Sequence, residues 1–112
     1  MARAISKEIY MLTREPGFRK DWGLTDQMRR AAVSIMANIA EGFERNSRKE
    51  YVQFLSIAKA SAGELRSHLY VARDLEYLSP ESFDDLYEKL DHLSRMIGKH
   101  ISYLKKDGKQ ND

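Results

Sequence analysis

The stretch that decides the fold runs from residue 47 to residue 77 and reads SRKEYVQFLSIAKASAGELRSHLYVARDLEY. Its apolar residues recur at alternating steps of four and three: Tyr51, Leu55, Ala58, Ala62, Leu65, Leu69 and Ala72. This period places all of them on one face of a helix, which predicts a long amphipathic helix ending at about Tyr77. Ser47 and Glu50 stand three residues apart at its start and form the sequence pattern of a capping box.

The next segment repeats the period. Ser79 and Pro80 predict a helix start, because serine caps the first free amides and proline has no N–H to leave unsatisfied there. Its apolar positions are Phe83, Leu86, Leu90, Leu93, Ile97, Ile101 and Leu104. We expect this helix to run to about Lys106, antiparallel to the first, because a short connection joins the two.

Two further helices are predicted in the first half of the chain. The first covers about Ala2 to Arg14 and ends before Pro16, since proline disfavours helical geometry in the residue before it. The second starts at Leu24 or Thr25 and ends at Phe43. Between the two helices, Phe18 and Trp22 are expected to pack beneath the bundle. The predicted fold class is all-α, an up-down antiparallel four-helix bundle.

Length and composition agree with one globular domain. The chain has 112 residues, 42% of them hydrophobic and 32% charged, and it contains no cysteine. One core suits this length, and the lack of cysteine fits a reducing compartment. No apolar run reaches the length of a signal peptide core or a membrane span, so we expect a cytoplasmic protein outside the membrane. We assign residues 1–107 to the bundle and 108–112 to a disordered polar tail.

The helix that ends at Phe43 is unusually apolar. Five of its polar residues fall within an arc of about 80° at 100° per residue: Gln27, Arg30, Ser34, Asn38 and Glu41. A bundle helix needs an apolar stripe only somewhat wider than about 100°. The helix therefore has more apolar surface than one bundle needs to cover. Either the helix is central in a monomer or this extra surface is buried in a homo-oligomer, which we favour. The candidate interface residues are Val33, Met36 and Ala40.

The polar arc has two interpretations. Antiparallel pairing brings Ser61 and Glu64 level with Arg30, and an Arg30–Glu64 ion pair joined to Ser34 and Asn38 would specify the packing register. The second interpretation is a ligand or ion site in the same stripe. It would be lined by Gln27, Arg30, Asn38, Glu41 and Glu64.

Patterns of catalytic or metal-binding residues are missing. His68, His92 and His100 are scattered, and none of them follows a glutamate by three residues as in di-iron bundles. No glycine-rich phosphate loop is present. We therefore expect no catalytic residues, no bound metal, no cofactor and no enzymatic activity.

Charge is unevenly distributed although the formal net charge is only +2. Acidic residues concentrate in residues 74–91, whereas a bundle would bring many of the basic residues together at the opposite end. These basic residues are Arg45, Arg48, Lys49, Lys99, Lys105, Lys106 and Lys109. They form a candidate nucleic-acid-binding surface, although a solvated helix face is the ordinary explanation of such runs. The aromatic residues that single-strand binders interleave with basic ones are not evident in the sequence.

Several segments in order resemble one known family. They are QMRRAAVSI at 27–35, NIAEGF at 38–43, Arg45 with Ser47, and FLSIAKASAGEL at 54–65. Together they resemble the signature of the four-helix-bundle family encoded in 23S rRNA intervening sequences. The family is also similar to the accessory protein of diversity-generating retroelements, which binds nucleic acid and partners a reverse transcriptase.

This resemblance implies an up-down bundle that assembles into a ring, typically a homopentamer. We accordingly expect an oligomeric, non-enzymatic scaffold associated with nucleic acid, RNA rather than DNA. The alternative is a protein-interaction module whose partner protein docks on the side of the bundle or at its acidic end.

Overall fold

The fold is entirely helical over the part of the chain that the computed structural model describes, which is the backbone of residues 1–111 and the side chains of residues 1–106. The helices are α1 (Ala2–Leu12), α2 (Pro16–Lys20), α3 (Trp22–Phe43), α4 (Arg48–Asp74) and α5 (Pro80–Asn111). α3 packs against α4 and α4 against α5, while α1 lies against both α3 and α5. The four longer helices therefore form the predicted bundle, and the predicted fold class is confirmed.

The core combines the two predicted seams with buried residues of α1, α2 and α3, among them Ile9, Phe18 and Ile35. On α4, Leu55, Ala58, Ala62, Leu65, Leu69 and Ala72 are all buried. On α5, the buried residues are Phe83, Leu86, Leu90, Leu93, Ile97 and Leu104. Tyr51 and Ile101 are half-buried at their margins. Each large apolar side chain buried in this way contributes about 1.5–3 kcal/mol to the free energy of folding. The two seams contain most of the large apolar side chains that are buried.

The bundle is elongated, 53 × 21 × 18 Å, and α1 covers only part of its length. With 11 residues at about 1.5 Å each, α1 is much shorter than its neighbours. We call the end with α2 and the α4–α5 connection the proximal end. The opposite end, with the α3–α4 connection at residues 44–47 and the C-terminal part of α5, is the distal end.

Asp21 joins the elements of the proximal end. Its Oδ1 accepts a hydrogen bond from the backbone N–H of Leu24 at 3.1 Å, which caps α3. Its Oδ2 accepts from the Tyr77 hydroxyl at 2.9 Å, and the Tyr77 ring meets Phe18 edge-on at 5.3 Å. One carboxylate thus ties the start of α3 to the α4–α5 connection.

The segment before α3 differs from the prediction. Residues 16–20 form the short helix α2 rather than a loop, and α3 begins at Trp22 because Asp21 provides the cap. Phe18 is buried, as predicted. The prediction for Trp22 is wrong, since its side chain is 71% exposed. At 100° per residue Trp22 lies well over 90° from the buried Met28 and Ile35, so its side chain points away from the core.

The starts of α4 and α5 agree with the sequence, whereas their ends differ: α4 ends at Asp74 and not at about Tyr77, and α5 continues to Asn111 and not only to about Lys106. The Ser47 hydroxyl accepts from the Glu50 N–H at 3.1 Å, and the Ser79 hydroxyl accepts from the Ser82 N–H at 3.1 Å. These bonds cap α4 and α5 as predicted, but the Glu50 carboxylate does not return a bond to the Ser47 N–H, so only half of the capping box is formed. The predicted tail at 108–112 lies outside the residues whose side chains are described, so this boundary stays a prediction.

Candidate nucleic-acid interface

The distal end brings the predicted basic residues together. Tyr51 at the start of α4 and His100 on α5 are 3.0 Å apart between hydroxyl oxygen and Nε2, which places the α3–α4 connection beside the C-terminal part of α5. The basic residues at this end are Arg45, Arg48, Lys49, Lys99, Lys105 and Lys106, and all are exposed. Lys109 lies outside the described side chains. Their proximity follows from the fold, while their role in binding stays a prediction.

Most of these charges are available to a ligand. Arg45 pairs with Glu41 one turn earlier and lies 4.7 Å from the centre of the Phe54 ring. The four lysines at this end make no ion pair with any residue described in the structure: Lys49, Lys99, Lys105 and Lys106. Glu76, Glu81, Asp84 and Asp85 lie at the proximal end, whereas the exposed Glu44 and Glu50 lie at the distal end and offset part of its positive charge.

A row of aromatic rings crosses the same end. Phe43 of α3 contacts Tyr51 of α4 at 5.8 Å between ring centres, and Tyr51 contacts His100 of α5 at 5.3 Å. His100 in turn stacks on Tyr103 at 6.4 Å with the planes 8° from parallel. Phe43 is 74% exposed and Tyr103 is 64% exposed. We call these four residues the aromatic row.

The aromatic row is not evident in the sequence, because three helices each contribute part of it. It lies at the same end of the bundle as the basic residues. Exposed rings take up unpaired bases by stacking, and ammonium groups beside them neutralise phosphates. The hydrogen bond between Tyr51 and His100 orients the inner rings of the row. This arrangement can hold a single-stranded nucleic acid without base-specific contacts.

The outer face of α3 carries the predicted surplus of apolar surface. Val33 is 37% exposed, Ala40 is exposed and Met36 is half-buried. Phe43 continues the same side of the helix to the distal end, and Trp22 lies near its start. The bundle thus leaves these residues partly uncovered. Whether a second copy covers them stays a prediction.

Part of the predicted polar stripe forms a network between α3 and α4. The Ser34 and Ser61 hydroxyls are 2.9 Å apart, and the Asn38 amide donates to the Ser34 carbonyl oxygen at 2.8 Å and to its hydroxyl at 3.0 Å. Ser61 is 8% exposed. The Ser34–Ser61 contact joins the two helices, while both Asn38 bonds stay within α3. The link between Ser34 and Asn38 proposed from the sequence is therefore present, and it satisfies polar groups at the helix interface.

The predicted Arg30–Glu64 ion pair is wrong. Arg30 instead pairs with Asp26 at 2.9 Å on its own helix and its side chain is 80% exposed. Glu64 is 59% exposed and lies 3.9 Å from His68. An i,i+4 partner satisfies Arg30 at the surface without the desolvation that a buried pair requires, and Asp26 supplies it.

The stripe does not converge on a ligand. Gln27, Arg30 and Glu64 are exposed, and Glu41 is engaged by Arg45. Among the described residues, no three His, Asp or Glu side chains converge where a metal ion could be held. Within the described range, no helix combines the length and apolar character that crossing a bilayer requires.

These features define the class of protein: a small all-helical bundle with a polar network between two helices and an aromatic and basic surface at one end. The model of the 23S rRNA-intervening sequence protein family matches residues 1–99, and the chain belongs to that family.

The structure is also similar to a crystal structure at 1.70 Å resolution of a protein with unknown function from the S23 ribosomal protein family of Bacteroides thetaiotaomicron VPI-5482. The TM-score is 0.78 and the sequences are 25% identical, over 89% of this chain and 90% of that one. No curated protein matches the chain significantly.

Proposed function

We propose that the protein is an oligomeric, non-enzymatic scaffold that binds RNA through the distal end of its bundle, in the cytoplasm. The observation that carries this proposal is the aromatic row, with Phe43 and Tyr103 exposed at its two ends. Unpartnered lysines lie at the same end of the bundle. Stacking and phosphate neutralisation together are the means by which proteins hold single strands.

RNA is favoured over DNA for two reasons. Proteins recognise RNA largely through unpaired bases in loops and ends, which stack on aromatic side chains. The family to which the chain belongs takes its name from intervening sequences of 23S rRNA. An RNA with single-stranded loops is therefore the ligand that best fits this surface.

Assembly through α3 is part of the proposal and would serve the same function. The apolar residues that α3 leaves exposed, including Val33 and Ala40, would be covered by a second copy. A ring of copies, five by resemblance to the family, would repeat the distal surface around its axis. Several weak sites on one assembly bind one long RNA with a high effective concentration, which compensates for the small net charge of each chain.

The test is the salt dependence of RNA binding. One variant replaces Arg45, Arg48 and Lys49 together by glutamine. A second variant replaces Lys105 and Lys106 together by glutamine. Each phosphate contact releases counterions when it forms. A variant that loses one contact should therefore show a slope of log affinity against log salt concentration that is flatter by about 0.7–0.9 units. Both variants should bind a structured RNA with single-stranded loops more weakly. Their melting temperatures should stay near that of the wild type, because the replaced side chains are exposed.

The control reverses two charges at the other end. Replacing Asp84 and Asp85 by lysine changes the net charge more than either basic set, yet it should leave the affinity unchanged or slightly higher. If the wild type retains no RNA at about 50 mM salt, where such binding is strong, RNA binding is refuted.

Docking of a partner protein is the second candidate function. Exposed apolar side chains away from the distal end favour it: Trp22 at 71%, Val71 at 45% and Leu75 at 51%. Such residues are typical of contact surfaces when they cluster. A protein that binds the wild type with a defined stoichiometry, and that a Val71→Glu and Leu75→Glu double variant loses, would establish this function in place of RNA binding.

A further inference from the structure

An open groove of about 490 Å³ runs between α4 and α5. Small residues on both helices let it form, and on α5 they are Ser94, Gly98 and Ser102 at steps of four. Two cationic side chains, Lys59 and Arg66 of α4, also line it. Ser102 lines this groove and its neighbour Tyr103 belongs to the aromatic row, so the two surfaces lie on different sides of α5.

The Ser94 hydroxyl points to a ligand in this groove. Ser94 is only 4% exposed, and its hydroxyl has no hydrogen-bond partner among the described residues. The Ser94 hydroxyl is not one of the fully enclosed unpaired atoms among the described side chains, so it keeps access to the solvent of the groove that Ser94 lines. Ser94 is therefore a donor in the groove wall that the protein itself does not use.

Gly98 places the main cation. A Cβ atom at Gly98 would lie 3.3 Å from Cε of Lys59, so the absence of a side chain leaves room for the Lys59 stem to cross the groove. The Lys59 ammonium makes no ion pair with any described residue. Arg66 donates from Nη1 to Asp91 at 3.2 Å, and Asp91 is shared with Arg95 at 3.0 Å. The groove therefore has a net positive charge, and the Lys59 ammonium in it is a hydrogen-bond donor without a partner among the described residues.

We propose that the α4–α5 groove binds a phosphate group, with Lys59 and Ser94 as its principal ligands and Arg66 beside them. An ammonium, a guanidinium and a hydroxyl are all donors, and the oxygens of a phosphate accept from several directions at once. The phosphate belongs either to the backbone of an RNA or to a free nucleotide. The site goes beyond the RNA-binding surface of the distal end, because none of its ligands is part of the aromatic row.

The test follows backbone amide NMR signals of the full chain in three titrations, with inorganic phosphate, adenosine monophosphate and a single-stranded RNA. Sodium chloride of equal ionic strength is the blank. We expect saturable shifts at Ser94 and Gly98. Lys59→Met keeps most of the stem and removes the ammonium, so it should weaken binding at least about tenfold, the loss typical of a charged hydrogen bond. Lys7→Met, an exposed lysine on α1, is the matched control and should bind like the wild type.

Two further variants separate binding from folding. Ser94→Ala should weaken phosphate binding while melting at the same or a higher temperature, because the hydroxyl has no partner to lose. Gly98→Ala should also weaken binding, since the new Cβ displaces the Lys59 stem, although alanine favours the helix. If Ser94→Ala lowered the melting temperature clearly, the hydroxyl would be structural and the proposal would be wrong.

The outcomes distinguish the source of the phosphate. Saturation by adenosine monophosphate at lower concentration than by RNA would identify a nucleotide site, and the reverse would identify an RNA backbone site. Groove shifts that Lys59→Met abolishes would support the site even if no RNA were retained by the distal end. No shifts above the chloride blank with any of the three ligands, or equal shifts in Lys59→Met, would overturn the proposal and leave the distal surface untouched.

Discussion

Replacing Tyr103 by alanine tests the aromatic row at its most accessible ring. The side chain is 64% exposed and its ring stacks on His100 with nearly parallel planes. Stacking of one base on an aromatic ring contributes about 1–3 kcal/mol, which corresponds to roughly a 5- to 150-fold loss of affinity. Only about a third of the side chain is buried, so the free energy of unfolding should fall by about 1 kcal/mol or less.

The assay is fluorescence anisotropy of a labelled, unstructured RNA at fixed salt, beside thermal unfolding of each variant. Tyr103→Phe keeps the ring and should bind like the wild type. Tyr103→Leu keeps apolar bulk without a ring and should lose affinity as alanine does. Met96→Ala removes an exposed apolar side chain two turns earlier on α5 and should have no effect.

Two results would refute the reasoning. If Tyr103→Leu bound RNA as tightly as Tyr103→Phe, apolar contact and not stacking would explain the affinity. If Tyr103→Ala kept the wild-type affinity while replacement of the distal lysines abolished it, the surface would act by charge alone.

Three further predictions concern stability and assembly. Asp21→Ala should lower the free energy of unfolding in urea by about 1 kcal/mol through the lost cap of α3, and further because the Tyr77 hydroxyl loses its acceptor; an unchanged unfolding midpoint would contradict this. The hydrogen bond to Asp21 raises the pKa of Tyr77 above its ordinary 10.0, so the stability from this bond is complete below pH 10 and is lost as the pH rises through the folded-state pKa. Urea titrations between pH 9 and 12 should show a steeper loss in the wild type than in Tyr77→Phe, and parallel curves would count against the bond. Light scattering should give several times the mass of one chain, and Val33→Glu should dissociate the assembly while Gln27→Glu on the polar stripe does not; a monomeric wild type would end the argument for assembly.

The helices, their caps and the two seams could be predicted from the sequence because their causes are local. Leu55 and Leu69 face the core by helical period alone, and Ser47 caps α4 through an amide three residues away. The apolar excess of α3 was also evident, since it depends only on the composition of one helix. Such features need no knowledge of what lies opposite.

The candidate site depends on what lies opposite. Phe43, Tyr51 and His100 are separated by eight and 49 residues, so only the packing of three helices makes them one row. The same dependence explains why the predicted Arg30–Glu64 pair is wrong. The antiparallel pairing of α3 with α4 was predicted correctly, as the Ser34–Ser61 contact shows, but Arg30 pairs with Asp26 on its own helix. A surface arginine pairs with the carboxylate that it reaches with the smallest loss of hydration. Which carboxylate that is depends on the directions of the side chains in the folded protein.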